Sequence, residues 1–171
     1  MEYAVLLRGV NVGGVNLKMA ELRELLEQRG YEGVRTVLAS GNVLLDSAAS
    51  ASAVKDDVEA ALRDRFGYPA WVHVLTIDAL RAIIDAYPFE RGRDGWHDYV
   101  LFVLDDDTRA TLAATESDPD EGRIASGDGV IYWTVPKGDT LDSPFGKATA
   151  KAAYKPHLTN RNLNTLEKLV G

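Results

Sequence analysis

The sequence predicts an α+β fold made of two ferredoxin-like (βαββαβ) halves, the second a decayed repeat of the first, followed by a C-terminal helix. Two apolar segments of similar composition, residues 3–7 and 99–104, each begin a succession of strands and helices in the same order. A polar stretch with two glycines, residues 90–95, separates the two successions. We therefore expect a first half over residues 1–97 and a second half over residues 98–171, packed as one compact unit.

Apolar spacing and turn-forming residues define the elements of the first half. Short apolar or β-branched runs predict strands at residues 3–7, 34–39, 43–45 and 69–75. Apolar residues three and four apart predict helices at about residues 18–29, from a cap at Ser50 or Ser52 to about residue 66, and at about residues 78–87. The last of these helices ends before Pro88 and connects the two halves.

The second half repeats this order with weaker signals. We predict strands at residues 99–104, 122–125 and 130–135. We predict helices from a cap at Asp107 to about residue 115, from Ser143-Pro144 toward Tyr154, and over residues 165–170 with Asn164 as the cap. The pattern predicts no final strand for this half, and for that reason we describe the repeat as decayed.

The composition excludes several classes of protein. The 171 residues include no cysteine, which excludes a disulfide scaffold, thiolate metal sites and a cysteine nucleophile. The formal charge of −7 disfavours nucleic-acid binding unless basic groups are concentrated in one patch. The first residues do not resemble a signal peptide, and no apolar run is long enough to span a membrane, so we expect a cytoplasmic protein with no membrane partner.

The segment after the first predicted strand, residues 8–14, is the first candidate site. Glycines let backbone N–H groups approach an anion, and Gly9 and Gly14 have the spacing of a Walker loop. Val15 and Asn16 replace the Lys-Ser/Thr pair that such a loop needs, so a wide turn and a ligand-binding loop both remain open. Arg8 favours the ligand-binding loop, because an arginine at the end of an apolar strand must either form a pair with another group or face a cleft.

A second candidate is the Ser-Gly-Asn segment at residues 40–42. Ser40 and Asn42 can orient a polar substrate, since an amide offers both a donor and an acceptor. No base lies near Ser40 in sequence, and the segment lacks the G-x-S-x-G pattern of a nucleophile elbow. A hairpin turn is therefore the stronger interpretation of these residues.

The C-terminal region is locally basic. Lys147, Lys151 and Lys155 are spaced four residues apart, which would place them along one face of a helix. Tyr154, His157, Asn160, Arg161 and Asn162 add aromatic and polar groups that suit a nucleotide or single-stranded nucleic acid. The alternative is a solvated lysine face beside a helix cap.

No metal or cofactor site is indicated by the sequence. His73, His97 and His157 are far apart and have no zinc-ligand spacing. The acidic residues 105–107 suit either a magnesium site or the N-terminus of a helix, and the helix is the stronger interpretation. No nucleophile with a base and no paired carboxylates are evident, so the sequence leaves open whether the protein is an enzyme.

Four of these segments together resemble one protein family. They are residues 8–14 (RGVNVGG), 19–22 (MAEL), 40–43 (SGNV) and 159–165 (TNRNLNT). The set is similar to the bacterial family catalogued as domain of unknown function 1697, and the similarity extends over essentially the whole chain. The resemblance implies an α+β fold of ferredoxin-like halves and no established activity. The sequence departs from the family pattern at Asn160, where Arg is common, and at Leu163, where an aromatic residue is usual.

The functional hypothesis combines these candidates. We expect the N-terminal loop and the C-terminal TNRN segment to form a cleft for an anionic or nucleotide-like small ligand. The expected ligand-binding residues are Arg8, Asn11, Gly13, Gly14, Ser40, Asn42, Arg161 and Asn162. The alternative is a nucleic-acid-binding or protein-interaction module that uses the stripe formed by Lys147, Lys151 and Lys155.

Overall fold

The structure is a computed structural model that describes residues 1–8, 17–38, 41–67, 71–115, 122–140, 143–150 and 157–171. The chain divides into two compact units, the first formed by residues 1–81 and 167–171 and the second by residues 82–166. The predicted boundary after residue 97, and the packing of both halves as one compact unit, stay predictions.

The first unit has the order β1, α1, β2, β3, α2, β4 that the sequence predicts. Its elements are β1 (Glu2–Arg8), α1 (Met19–Gln28), β2 (Glu32–Val37), β3 (Asn42–Asp46), α2 (Ala51–Phe66) and β4 (Trp71–Thr76). The strands form an antiparallel sheet in the order β2-β3-β1-β4. Helix α3 (Ile77–Asp85) follows β4 and continues from the first unit into the second.

The second unit repeats this order. Its elements are β5 (Trp96–Val103), α4 (Asp106–Ala113), β6 (Arg123–Ser126), β7 (Val130–Pro136), α5 (Pro144–Thr149) and β8 (Leu158–Asn162). Helix α6 (Leu163–Val170) follows β8, and its residues from 167 onward belong to the first unit. Its antiparallel sheet has the order β6-β7-β5-β8, which matches the first sheet strand for strand. The fold class is therefore confirmed. Strand β8 is an element that the sequence analysis does not predict, and with it the second half is a complete βαββαβ unit.

Each unit has its own apolar core between one face of its sheet and its helices. In the first unit, fully buried side chains of β1, β3, α1 and α2 include Val5, Val43, Leu22 and Leu62. In the second unit, Leu101, Ile131 and Trp133 pack with Leu112 and Phe145. Burying one such side chain contributes about 1.5–3 kcal/mol, so these layers hold each sheet to its helices.

The helix caps agree with the sequence in two places and correct it in two. The Ser50 side chain accepts a hydrogen bond from Ala53 N, and Ser143 accepts one from Gly146 N, as capping serines do. Asp105, and not Asp107, caps α4, because its carboxylate accepts from Thr108 N at 2.9 Å.

The cap of α6 is also displaced from the predicted position. Asn162 Oδ1 accepts a hydrogen bond from Asn164 N at 3.0 Å, so Asn162 caps this helix and Asn164 lies inside its first turn. At the other end of α6, Arg81 Nη2 donates to the Val170 carbonyl oxygen at 3.4 Å. Among the described residues, no helix is both long enough and apolar enough to cross a membrane.

Candidate functional site

Arg8 lies at the last position of β1, in the first unit. The five preceding residues, 3–7, are all buried, and Arg8 is half-buried. Side chains alternate along a strand, so Arg8 lies on the opposite face of the sheet from the core residue Leu7. The buried run 3–7 of β1 is therefore followed by a guanidinium group on the face away from the helices.

The strand register identifies the neighbours of Arg8 on that face. Arg8 is paired with Trp71 on β4, and Leu6 is paired with His73 on β4 and with Asn42 on β3. Directly paired residues project to the same face of a sheet. Arg8, Asn42, Trp71 and His73 thus share one face near the end of β1, and we call this set the Arg8 face.

The electrostatic environment of Arg8 reflects its position. Partial burial lowers the pKa of the Arg8 guanidinium from its ordinary value. An arginine begins with so high a pKa that it stays charged at neutral pH. The group combines a permanent positive charge, reduced solvation and five N–H donors, a combination suited to binding an oxyanion.

Asn42 has a clear structural role. Its side chain is fully buried, and its Nδ2 donates to the Val37 carbonyl oxygen at 2.9 Å across the β2–β3 hairpin. Leu7 N also donates to the Gly41 carbonyl oxygen at 2.8 Å. The Asn42–Val37 bond supports a hairpin between β2 and β3, and the Leu7–Gly41 bond holds that hairpin to β1. Ser40 lies outside the described residues, and a ligand contact by Asn42 stays a prediction.

The same hairpin contains a backbone conformation that the sequence does not reveal. Leu38 has a φ of 61°, in the left-handed region, and its side chain is 48% exposed. A non-glycine residue rarely adopts this conformation, and such residues are often found at functional sites. Leu38 is therefore a candidate that sequence reasoning misses, since no residue type encodes the strain.

Trp71 and His73 are the other residues that the site analysis of the sequence omits. A signal for them exists in the alternation of β4, where residues 71, 73 and 75 share one side of the strand. The register that brings Trp71 opposite Arg8 cannot be read from local sequence, because it depends on pairing between strands far apart in the chain.

Several predicted site residues lie outside the described residues. They are Asn11, Gly13, Gly14 and Ser40 of the proposed ligand site, and Lys151 and Lys155 of the proposed basic stripe. Lys147 belongs to α5 and is exposed, and α5 ends at Thr149. The stripe of three lysines stays a prediction.

Arg161 and Asn162 lie on β8 of the second unit, paired with Val100 and Tyr99 of β5. Only 8% of Arg161 is exposed, and its Nη1 donates to the Asn160 carbonyl oxygen at 3.0 Å. Asn162 caps α6. Both residues therefore have structural roles, and their contribution to ligand binding stays a prediction.

The acidic segment 105–107 forms the beginning of a helix, in agreement with the stronger sequence interpretation. The Thr108 hydroxyl and backbone N–H lower the pKa of Asp105, and Arg109 pairs with Asp106 at 2.9 Å. His73 lies on β4, His97 on β5 and His157 just before β8. In the part of the chain that the structure describes, no three His, Asp or Glu side chains form a group that could hold a metal ion.

Comparison with known proteins agrees with this architecture. The solved structure of the conserved bacterial protein SP0830 from Streptococcus pneumoniae superposes with a TM-score of 0.84 at 27% sequence identity, covering 99% of this chain and 96% of that one. No curated protein matches the sequence significantly. The family described as "Protein of unknown function (DUF1697)" matches residues 1–132, which is most of the chain. The protein therefore belongs to the DUF1697 family.

Proposed function

We propose that the protein binds an anionic or nucleotide-like small molecule and that Arg8 contacts the negatively charged group of this ligand. The observation that carries the proposal is a half-buried guanidinium that directly follows five buried residues of β1. A guanidinium keeps its charge when it is partly buried, and its hydrogen bonds to an anion are charge-assisted and therefore strong.

The neighbours of Arg8 favour a particular kind of ligand. A guanidinium can donate two parallel hydrogen bonds to a carboxylate or a phosphate. Trp71, directly opposite Arg8 in the sheet, is half-buried and offers a flat aromatic surface. An anionic group attached to a planar ring would use both features, which is the chemistry of a nucleotide.

The proposal also assigns ligand contacts to other residues predicted from the sequence. In the N-terminal part of the chain these are Asn11, Gly13, Gly14, Ser40 and Asn42. In the C-terminal part they are Arg161 and Asn162. Backbone N–H groups of the glycine-bearing segment would supplement Arg8, since glycine permits close approach of an anion to the main chain.

A thermal-shift screen followed by calorimetry tests the proposal. The probes are inorganic phosphate, AMP, ATP and citrate. A ligand at ten times its Kd stabilises the folded state by about 1.4 kcal/mol, which raises Tm by about 3–5 °C for a chain of this size. Arg8→Gln should abolish the shift, because the neutral amide keeps hydrogen-bonding capacity but removes the charge and the fork of donors.

Arg35→Gln is the matched control. Arg35 lies on β2 of the same sheet, is largely exposed, and has Glu2 at 3.6 Å as its ion-pair partner. This variant removes one positive charge from the same unit and should keep the ligand-induced shift. Equal shifts in Arg8→Gln and Arg35→Gln, or no shift with any probe, would contradict the proposal.

The alternative function through Lys147, Lys151 and Lys155 is tested by RNA-binding titrations at several salt concentrations. Three phosphate contacts predict that the affinity for a short single-stranded RNA falls with a log–log salt slope of roughly −2 to −3. Binding with such a slope, weakened and with a shallower slope in Lys147→Gln but unchanged in Arg8→Gln, would favour a nucleic-acid-binding module over a small-ligand site.

A further inference from the structure

The second unit contains a pocket that belongs to none of the features described above. It has a volume of about 300 Å³ and lies between the connector that follows α3 (residues 86–95) and the strands β6 and β7. Its lining residues are Pro88, Phe89, Glu90, Arg93, Arg123 and Thr134. This volume is at the small end of the range for ligand pockets.

Two arginines dominate the charge of this pocket. Arg93 comes from the connector and Arg123 from β6, and the lining also includes one acid, Glu90, so its net charge is positive. In the described part of the chain, neither Arg93 nor Arg123 forms an ion pair with a carboxylate. The unit itself is rich in acidic residues. Two arginines that share one pocket, with no ion pair among the described residues, therefore form a local positive site in an acidic unit.

The guanidinium of Arg93 is oriented by an aromatic ring. Its central carbon lies 4.0 Å from the centre of the Trp96 indole ring. A guanidinium stacked on a ring face keeps its N–H donors, which lie in the guanidinium plane, available to an acceptor. This arrangement reduces the rotational freedom that Arg93 would lose when a ligand binds.

A buried carboxylate fixes the two sides of the pocket. Asp98 on β5 accepts hydrogen bonds from Tyr87 Oη at 2.7 Å, from Gly92 N at 2.9 Å and from Thr134 Oγ1 at 3.3 Å. Burial raises the pKa of Tyr87, so its hydroxyl stays protonated and continues to donate. Asp98 thus ties the connector to β7 through groups on both sides of the pocket, and the walls are ordered before a ligand arrives.

The remaining lining residues suit a compact carbon skeleton. Pro88 and Phe89 supply an apolar wall, and the Phe89 ring is held edge-on against Tyr87 with 5.6 Å between the ring centres. Pro88 has no backbone N–H, and its fixed φ limits the conformations of the connector. The pocket therefore combines a doubly cationic side with an apolar side.

We propose that this pocket binds a small phosphorylated molecule, with the phosphate group against Arg93 and Arg123 and the carbon skeleton against Pro88 and Phe89. Two guanidinium groups favour a phosphate, which carries nearly two negative charges and several acceptor oxygens, over a single carboxylate. The site is distinct from the Arg8 face, and it does not depend on the function proposed for that face.

Titrations followed by ¹H–¹⁵N NMR of the full chain test this assignment. The probes are ribose 5-phosphate, inorganic phosphate and citrate. Ribose 5-phosphate should perturb the backbone amides of residues 89–95, 123 and 134, and it should bind more tightly than inorganic phosphate because of the apolar wall. Arg93→Gln and Arg123→Gln should each weaken binding about tenfold or more, since each removes a charge-assisted contact.

Two control variants separate this pocket from general charge effects and from the Arg8 face. Arg109→Gln removes the same charge from the same unit outside the pocket, and it should leave the affinity within about twofold of the wild-type value. Arg8→Gln should also leave these perturbations unchanged.

Three results would overturn the assignment. The first is no perturbation of these amides by either phosphate probe at millimolar concentration. The second is an unchanged affinity in Arg93→Gln and Arg123→Gln. The third is citrate binding as tightly as ribose 5-phosphate, with the same losses in both variants, which would identify the site as one for carboxylates.

Discussion

The ends of the two central strands differ, although the two units share one topology. In the first unit, ten residues separate β1 from α1, and β1 ends in Arg8. In the second unit, two residues separate β5 from α4: Leu104 and the helix cap Asp105. Two residues are sufficient to make this connection, so the longer segment of the first unit is not required by the fold. Sequence that a fold does not require is a good place to look for function.

The corresponding hairpins, β2–β3 and β6–β7, also differ between the two units. The β6–β7 hairpin has its left-handed residue at Gly129, with a φ of 70°, where glycine fits without strain. The β2–β3 hairpin also has a glycine, Gly41, but it places Leu38 in the left-handed region as well. The second unit thus shows the connections that the topology requires. The first unit departs from them at the end of the sheet where Arg8 lies.

The largest effect we expect is a difference in stability between substitutions of Arg8 and Arg161, the two arginines of the predicted ligand site. Arg161→Gln should destabilise the protein by about 3 kcal/mol, because this buried side chain is replaced by one that cannot make the same contacts. Arg8→Gln should cost less than about 1 kcal/mol, because Arg8 is only half-buried. Chemical denaturation of both variants measures the difference. If Arg161→Gln lowers the free energy of unfolding by less than Arg8→Gln does, Arg161 does not have the structural role assigned to it.

A smaller effect of opposite sign is expected at Leu38. Leu38→Gly should stabilise the protein by up to about 1 kcal/mol, because glycine adopts a positive φ without the steric conflict of a Cβ atom. The matched control is Gly129→Ala, which introduces that conflict into the hairpin of the second unit and should destabilise it. Thermal unfolding of both variants tests the pair. If Leu38→Gly is destabilising, the Leu38 conformation is supported by contacts that outweigh its strain.

The smallest expected effect is a pH dependence of the stability, to which one carboxylate in each unit contributes. Hydrogen bonds from Arg29 and Tyr31 lower the pKa of Asp57 in the first unit, and Thr108 lowers that of Asp105 in the second. A folded-state pKa below the unfolded value of about 3.9 means that each group stabilises the protein above that pH. This contribution is lost as the pH falls through the folded-state pKa.

Substitution of each carboxylate isolates its share of this dependence. The contribution of Asp57 should be below about 1 kcal/mol, since both partners of the ion pair with Arg29 are more than one third exposed. Asp57→Asn should therefore lose less stability between pH 7 and pH 3 than the wild-type protein. Asp105→Asn should do the same while keeping a capping side chain. Parallel pH profiles for wild type and both variants would contradict this account.

Most of the fold could be predicted because its signals are local. Apolar spacing predicts α1, α2 and α3, and turn residues separate β2 from β3. Strand β8 was not predictable in this way, because its sequence, LTNRN, is mostly polar and has no apolar alternation. Its pairing with β5 supplies the stability that local sequence does not.

The candidate sites were less predictable than the fold. Arg8 is recognisable because a charged residue at the end of an apolar strand is unusual. Trp71 depends on the register of β4 against β1, which no local pattern determines. The pocket of Arg93 and Arg123 depends on residues 30 positions apart in the sequence that fold into one lining. A single sequence contains no signal for that proximity.

The first unit includes the C-terminal residues of the chain, and this has a consequence for synthesis on the ribosome. Residues 167–171 belong to this unit, and the hydrogen bond from Arg81 to Val170 joins residues 89 positions apart. The last contacts of the first unit therefore form only after the whole second unit has been translated. A nascent chain would hold an incomplete first unit throughout that interval, so the final steps of folding involve the part of the chain that was made first.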